Sequence, residues 1–212
     1  MIAGITHYTT FLAAGVLLNL TPGNDTVYIL TQSIARGKRA GLYSALGIGT
    51  GTVIHTLLAA FGLSLIVARS LLVFTIIKYI GAAYLIYLGV ALFRNTSGIV
   101  TQPARKNDRV GHGKTYRDAV LTNVSNPKVA LFFIAFLPQF IDPLYRHSVL
   151  PFLALGLTFV FTGTLWCLIL AQFAGVLSSR LRDQPKISVI LNKVSGTVLV
   201  GLGLKLALSQ AS

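Results

Sequence analysis

Six runs of roughly twenty or more apolar residues, separated by short basic or polar stretches, constrain this chain more than any other feature. They lie at about 7–34, 41–67, 71–93, 118–140, 148–177 and 187–208. A run of about twenty apolar residues is long enough to cross the hydrocarbon core of a bilayer as a helix. The expected fold is therefore an all-α polytopic membrane protein with six transmembrane helices. Composition agrees: 11% of the residues are charged, where a soluble domain has about 25%. There is no glutamate, and the five acids are Asp25, Asp108, Asp118, Asp142 and Asp183.

The net charge of +13 suggests nucleic acid only until its distribution is read. Twelve of the eighteen basic residues fall in one set of connections: Arg36, Lys38, Arg39, Arg94, the group from Arg105 to Arg117, and Arg180, Arg182 and Lys186. Three, Arg69, Arg146 and Lys205, fall on the other side, while Lys78, Lys128 and Lys193 lie within or at the ends of spans. The basic-rich side is expected in the cytoplasm, which leaves both termini outside and removes the need for a nucleic-acid partner. The stretch 95–117 is polar and basic, and it reads as a cytoplasmic linker between a first half, 1–94, and a second, 118–212. No basic stretch or small-residue cleavage site precedes the first apolar run, so that run is expected to be retained. Cys167 is the lone cysteine and offers no intrachain disulfide.

Two of the runs contain residues that a plain membrane anchor would not tolerate. Asn19-Leu20-Thr21-Pro22-Gly23-Asn24-Asp25 interrupts the first, and Asn123-Val124-Ser125-Asn126-Pro127-Lys128 interrupts the fourth. Proline lacks an N–H and clashes with the preceding turn, so each helix must break. The freed backbone groups survive at membrane depth only against protein or a watery cavity. Three spans per half is an odd number, so the second half inserts upside down. The expected architecture is two inverted three-helix repeats whose first and fourth helices are broken. Paired breaks at corresponding positions point to a transporter's substrate site.

Chemistry at the breaks suits a zwitterion. Asn24 or Asp25 is expected to cap a new half-helix after Gly23, whose N–H groups and positive dipole end would receive a carboxylate. The preceding half-helix ends in carbonyls, that of Leu18 among them, which suit an ammonium group. Asp25 can pair with that ammonium, hold a coupling proton, or only cap the helix. Lys128 can balance Asp25, bind the carboxylate, or snorkel to an interface. On the second span, Ser44, Gly47, Gly51, His55 and Gly62 share one face, and the third and sixth spans carry similar small-residue lines. Such stripes serve close packing. His55 fits either a hydrogen bond to a neighbouring helix or a role in the site. Small-residue seams also leave a homodimer open.

Several motifs in order complete the picture: Thr21-Pro22-Gly23-Asn24-Asp25, Arg36-Gly37, Ala40-Gly41-Leu42, Lys78-Tyr79-Ile80-Gly81-Ala82-Ala83-Tyr84-Leu85, Asn126-Pro127-Lys128 and Phe136-Leu137-Pro138-Gln139-Phe140. Together they resemble the lysine-exporter family, in particular its homoserine/threonine-resistance branch. The resemblance implies a multi-pass exporter in a prokaryotic inner membrane, moving amino acids or related small metabolites on the proton gradient, with no cofactor. One departure is Asn24, which stands where the family usually has a second proline. The candidate substrate and proton residues are Asn19, Thr21, Pro22, Gly23, Asn24, Asp25, His55, Asn123, Asn126, Pro127 and Lys128. A metal-cation exporter would need several carboxylate, His or Cys ligands to converge, and Asp25 with His55 is a thin set. A membrane enzyme would need a nucleophile–base pair or a metal cluster, and no such spacing is evident.

Overall fold

The computed structural model describes residues 4–63, 71–94, 111–183 and 185–209. In order, these form α1 (Tyr8–Leu20), α2 (Asn24–Arg36), α3 (Lys38–Leu58), α4 (Leu71–Arg94), α5 (His112–Val124), α6 (Pro127–Leu131), α7 (Val149–Asp183) and α8 (Pro185–Leu208). α3 runs on into a π-helical turn, Ala59–Leu63. α6 continues through a π-helical turn, Phe132–Phe136, and a 3-10 turn, Leu137–Phe140. Among the described residues, extended pairing is limited to one bridge between Ile5 and Ile141.

α3, α4, α7 and α8 are each long and apolar enough to cross a membrane, and α5 with the segment to Phe140, bent by 47°, makes a fifth candidate. α1 and α2 have 13 residues apiece, about 20 Å at 1.5 Å per residue. Neither alone crosses a core of about 30 Å. The expected first span is therefore present as two half-length helices. Outward faces match a lipid surrounding. Along α7, Leu157, Phe161, Leu165, Ile169, Phe173 and Val176 are all exposed. This stripe rises about 28 Å, close to the hydrocarbon thickness.

Element ends differ from the apolar runs in two places. α5 starts at His112, inside the stretch expected as linker. Thr115 is buried there, and the Tyr28 hydroxyl donates to its carbonyl at 3.0 Å. Polar residues on the other face do not end a helix whose inner face is packed. α7 likewise runs on to Asp183, through Arg180 and Arg182, which were expected in a connection. Arg69 and residues 95–110 lie outside the described residues.

α3 lies on α2, α5 and α7, α7 lies on α1 and α2, and α4 pairs along its length with α8. Glycines make these approaches close. A Cβ on Gly89 would meet the Gly196 carbonyl at 2.7 Å, and one on Gly196 would meet the Gly89 carbonyl at 2.7 Å. Gly47, Gly51, Gly89 and Gly196 are thus packed within one chain, whereas nothing lies within 4 Å of a Cβ on Gly62. The centre of the bundle is aromatic. Phe132 stacks on Phe159 at 4.6 Å and on Phe136 at 5.2 Å, while Phe11 meets Phe140 edge-on at 5.3 Å.

Candidate functional site

Each break follows from its local sequence. α1 stops at Leu20; the N–H of Thr21 turns back to the carbonyls of Leu17 and Leu18, and its hydroxyl donates to Leu17 O at 2.9 Å. The residue that would continue the ladder onto Leu18 is Pro22, which has no N–H to give. α2 then starts from Gly23, which is extended and supplies no side-chain cap. The cap expected of Asn24 or Asp25 is absent because both already lie inside the helix. In the second break Asn126 is the cap: its Oδ1 accepts from the Lys128 N–H at 3.1 Å, with Pro127 at the first helical position. That is the favoured place for a proline.

The two breaks lock into each other. Lys128 Nζ donates to Thr21 O at 2.8 Å and to Leu18 O at 3.2 Å. The Leu18 carbonyl, expected open to a substrate's ammonium, is thus held by the protein's own. Nor does Lys128 snorkel to an interface, since its head points into the other break. From the opposite side, Asn123 Nδ2 donates to Asp25 Oδ2 at 2.9 Å. Asn123 also ties in α3: the Thr52 hydroxyl donates to its Oδ1 at 3.4 Å, and His55 Nε2 lies 3.2 Å from its carbonyl. The His55 ring is buried and stacks on Phe133 at 5.8 Å. Asp25 Oδ1 and Asn126 Nδ2 are buried with no hydrogen-bond partner among the described residues.

Two cavities flank the junction. A chamber of about 30 Å³ is lined by Asn19, Asp25, Thr52, Asn123, Lys128 and Cys167 among others. That is room for about one water. A second pocket of about 280 Å³ is lined by Pro22, Gly23, Asn24, Asn126, Pro127 and Lys128 of the two breaks and by Tyr84, Leu88, Ala91, Leu92 and Leu199 of α4 and α8. A lining that combines polar groups of the breaks with apolar side chains suits a small amphiphilic solute. Of the eleven candidate residues, nine line one or other of these cavities, and Thr21 bonds directly to Lys128, which lines both. His55 is joined to them only through Asn123 and lines a separate apolar pocket with Leu58, Phe133 and Ile134.

Thr52, Thr162 and Gly163 belong to the same constellation without having been singled out. Asn19 Nδ2 donates to Thr162 Oγ1 at 3.2 Å, and a Cβ on Gly163 would lie 3.0 Å from Asn19 Oδ1. A Cβ on Gly51 would likewise lie 2.7 Å from Asn123 Oδ1, to which the Thr52 hydroxyl donates at 3.4 Å. Asn19 thus lies against a glycine and a threonine of α7, and Asn123 against a glycine and a threonine of α3. The signal was in the sequence as a repeat, Thr50-Gly51-Thr52 and Thr162-Gly163-Thr164. The apolar wall of the larger pocket had no such signal, because one leucine of a membrane helix resembles another.

The chain is similar to known membrane proteins over nearly its whole length. An uncharacterized membrane protein of Pseudomonas aeruginosa is 34% identical over 213 residues, covering 99% of this chain and 98% of its own. One of Vibrio cholerae is 33% identical over 204 residues, 96% of this chain and 98% of its own. The leucine efflux protein of Salmonella choleraesuis is 28% identical over 98% of both chains. No solved structure matches the chain. The family model for LysE type translocators matches residues 16–210; with both breaks inside that match, the chain belongs to the LysE type translocator family.

Proposed function

We propose that this protein is a secondary transporter that exports an amino acid with an apolar side chain across the inner membrane, coupled to protons. The observation that supports this most is the interlocked pair of breaks beside the 280 Å³ pocket. The breaks offer the uncapped start of α2 for a carboxylate, and the end of α1, with Asp25 in the adjoining chamber, for an ammonium. Leu88, Ala91, Leu92 and Leu199 of the same pocket offer apolar surface for a side chain. The leucine efflux relatives favour the same substrate class. Asp25 is the acid proposed to take part in coupling, since it is the carboxylate at the junction and one of its oxygens has no partner among the described residues.

The proposed membrane arrangement is six spans in two inverted halves, with α1 and α2 together as the first. Packing supports it where α3 lies on α5 as α7 lies on α1 and α2, and where α4 and α8 face each other; the contact of α2 with α3 has no counterpart of that extent between α6 and α7. The approaches of Gly163 to Asn19 and of Gly51 to Asn123, 3.0 and 2.7 Å from a Cβ to the asparagine Oδ1, support the same exchange. Both termini outside and 95–117 in the cytoplasm follow from the basic-residue bias. The metal-cation alternative gains nothing from the geometry, because Asp25 and His55 meet only through Asn123.

Counterflow in proteoliposomes tests the function. Vesicles loaded with unlabelled L-leucine should accumulate labelled L-leucine. Those loaded with manganese or with 4-methylpentanoate, which lacks the amine, should not. Failure with leucine and with a panel of other amino acids would defeat the proposal.

A further inference from the structure

Lys128 is the wall between the two cavities, lining the small chamber with Asp25 and the larger pocket with Gly23. Its position is not that of a simple counter-ion. Lys128 and Asp25 form no ion pair within 4.0 Å among the described residues, unlike Arg117 and Asp118 on α5. The ammonium sits instead on the two carbonyls at the end of α1, 2.8 and 3.2 Å away. A primary ammonium held by backbone carbonyls, with a carboxylate nearby, is also the environment that the head of an amino acid needs. The carbonyl of Leu18 is there to be taken because Pro22 gives it no N–H. On the side of the larger pocket Gly23 leaves the approach open, since a Cβ there would lie 3.3 Å from Lys128 Nζ.

We propose that Lys128 is a tethered competitor for the substrate: its ammonium fills the ammonium subsite formed by the carbonyls of Leu18 and Thr21, and an incoming amino acid displaces it. This rests on the breaks being the substrate site. Once displaced, Lys128 has an acceptor waiting in Asp25, whose Oδ1 is buried without a partner among the described residues. Exchange of one ammonium for another keeps the charge of the junction balanced while it breaks the contact that holds α6 onto α1. Binding is thereby linked to release of one half from the other. The subsite selects primary ammonium groups, so zwitterions enter and simple carboxylates do not.

The test uses purified protein in lipid, with L-leucine, 3-methylbutylamine (leucine without its carboxylate) and 4-methylpentanoate (leucine without its amine) as probes. Lys128→Met keeps the length of the side chain and removes the competitor. Affinity for leucine and for 3-methylbutylamine should rise on the order of tenfold, the effect of removing one charge-assisted contact, and that for 4-methylpentanoate should stay unchanged. A loss of affinity for leucine and 4-methylpentanoate together would make Lys128 the carboxylate's partner and overturn the proposal. Unchanged affinity for all three would make it a structural cap and also overturn it. A second measurement needs no variant: in the wild-type protein, saturating leucine should expose Lys128 to reductive methylation, and 4-methylpentanoate should not. Equal labelling with and without leucine overturns the proposal even if Lys128→Met does not fold. A wild-type protein that binds no amino acid defeats the substrate assignment and this proposal with it. Binding to wild type with no gain selective for the ammonium defeats this proposal alone.

Discussion

Gly51→Ala puts the contact between α3 and α5 to a quantitative test. The new Cβ would lie 2.7 Å from Asn123 Oδ1 and 2.8 Å from its Cβ. Ordinary contact begins at about 3.5 Å, so the helices must part by about 0.7 Å, or Asn123 must leave its place. Overpacking of this kind costs about 1–3 kcal/mol. At about 2–4 °C per kcal/mol for a chain of this size, the melting temperature should fall by roughly 2–12 °C. Because Asn123 is also the donor to Asp25, efflux should fall further than the loss of folded protein explains. Gly201→Ala is the control, since nothing lies within 4 Å of a Cβ there. Its effect should stay within about 0.5 kcal/mol, apart from a small gain from alanine's better helix propensity. Both variants are read by thermal unfolding in detergent and by efflux normalised to membrane abundance. A Gly51→Ala protein with wild-type melting and wild-type efflux would refute the packing argument.

Three further outcomes follow from the same geometry. Reporter fusions after Ser212 should be active only in the periplasm, and fusions within 95–110 only in the cytoplasm; a cytoplasmic C-terminus would contradict six spans and the inverted repeat together. Pro22→Ala restores an N–H aimed at Leu18 O, the carbonyl that Lys128 holds, so efflux should drop at unchanged abundance while every side-chain charge is kept. Leu88→Trp fills part of the apolar wall of the 280 Å³ pocket; the KM for leucine should rise more than that for alanine, and an equal change for both would remove this wall from substrate recognition.

How much of this was legible in the sequence depended on how local each cause was. The breaks at Pro22 and Pro127 could be placed to the residue, because a missing N–H is a property of one residue and acts on the turn before it. That the breaks meet was expected from repeat symmetry, and Lys128 of the second does reach the carbonyls of the first. What they do on meeting was not expected: Asn123 and Asp25 are 98 residues apart, and their bond depends on which face of α5 turns inward. The same limit hid the target of Lys128, since composition shows that a cation is buried but not which acceptor it finds. Asn24 and Asp25 looked like helix caps because Asn and Asp favour that position. Here Gly23 sits one residue earlier in extended geometry and takes it. The start of α5 at His112 was missed for a different reason, as hydropathy records where apolar residues begin and not where one packed face does.

Asp25→Asn, followed by efflux of labelled leucine from cells or proteoliposomes, bears most directly on the central claim that the paired breaks are the working site of an exporter. Asparagine keeps the size of the side chain and an oxygen to accept from Asn123 Nδ2, which now bonds Asp25 at 2.9 Å. It removes the charge and the exchangeable proton. A hydrogen bond to a charged group is worth about 1.5–3 kcal/mol, so loss of the one between Asp25 and the substrate's ammonium should lower efflux by about tenfold to a hundredfold while membrane abundance and melting temperature stay near wild type. Near-normal efflux from Asp25→Asn would contradict the account and leave Asp25 a structural residue at a helix start.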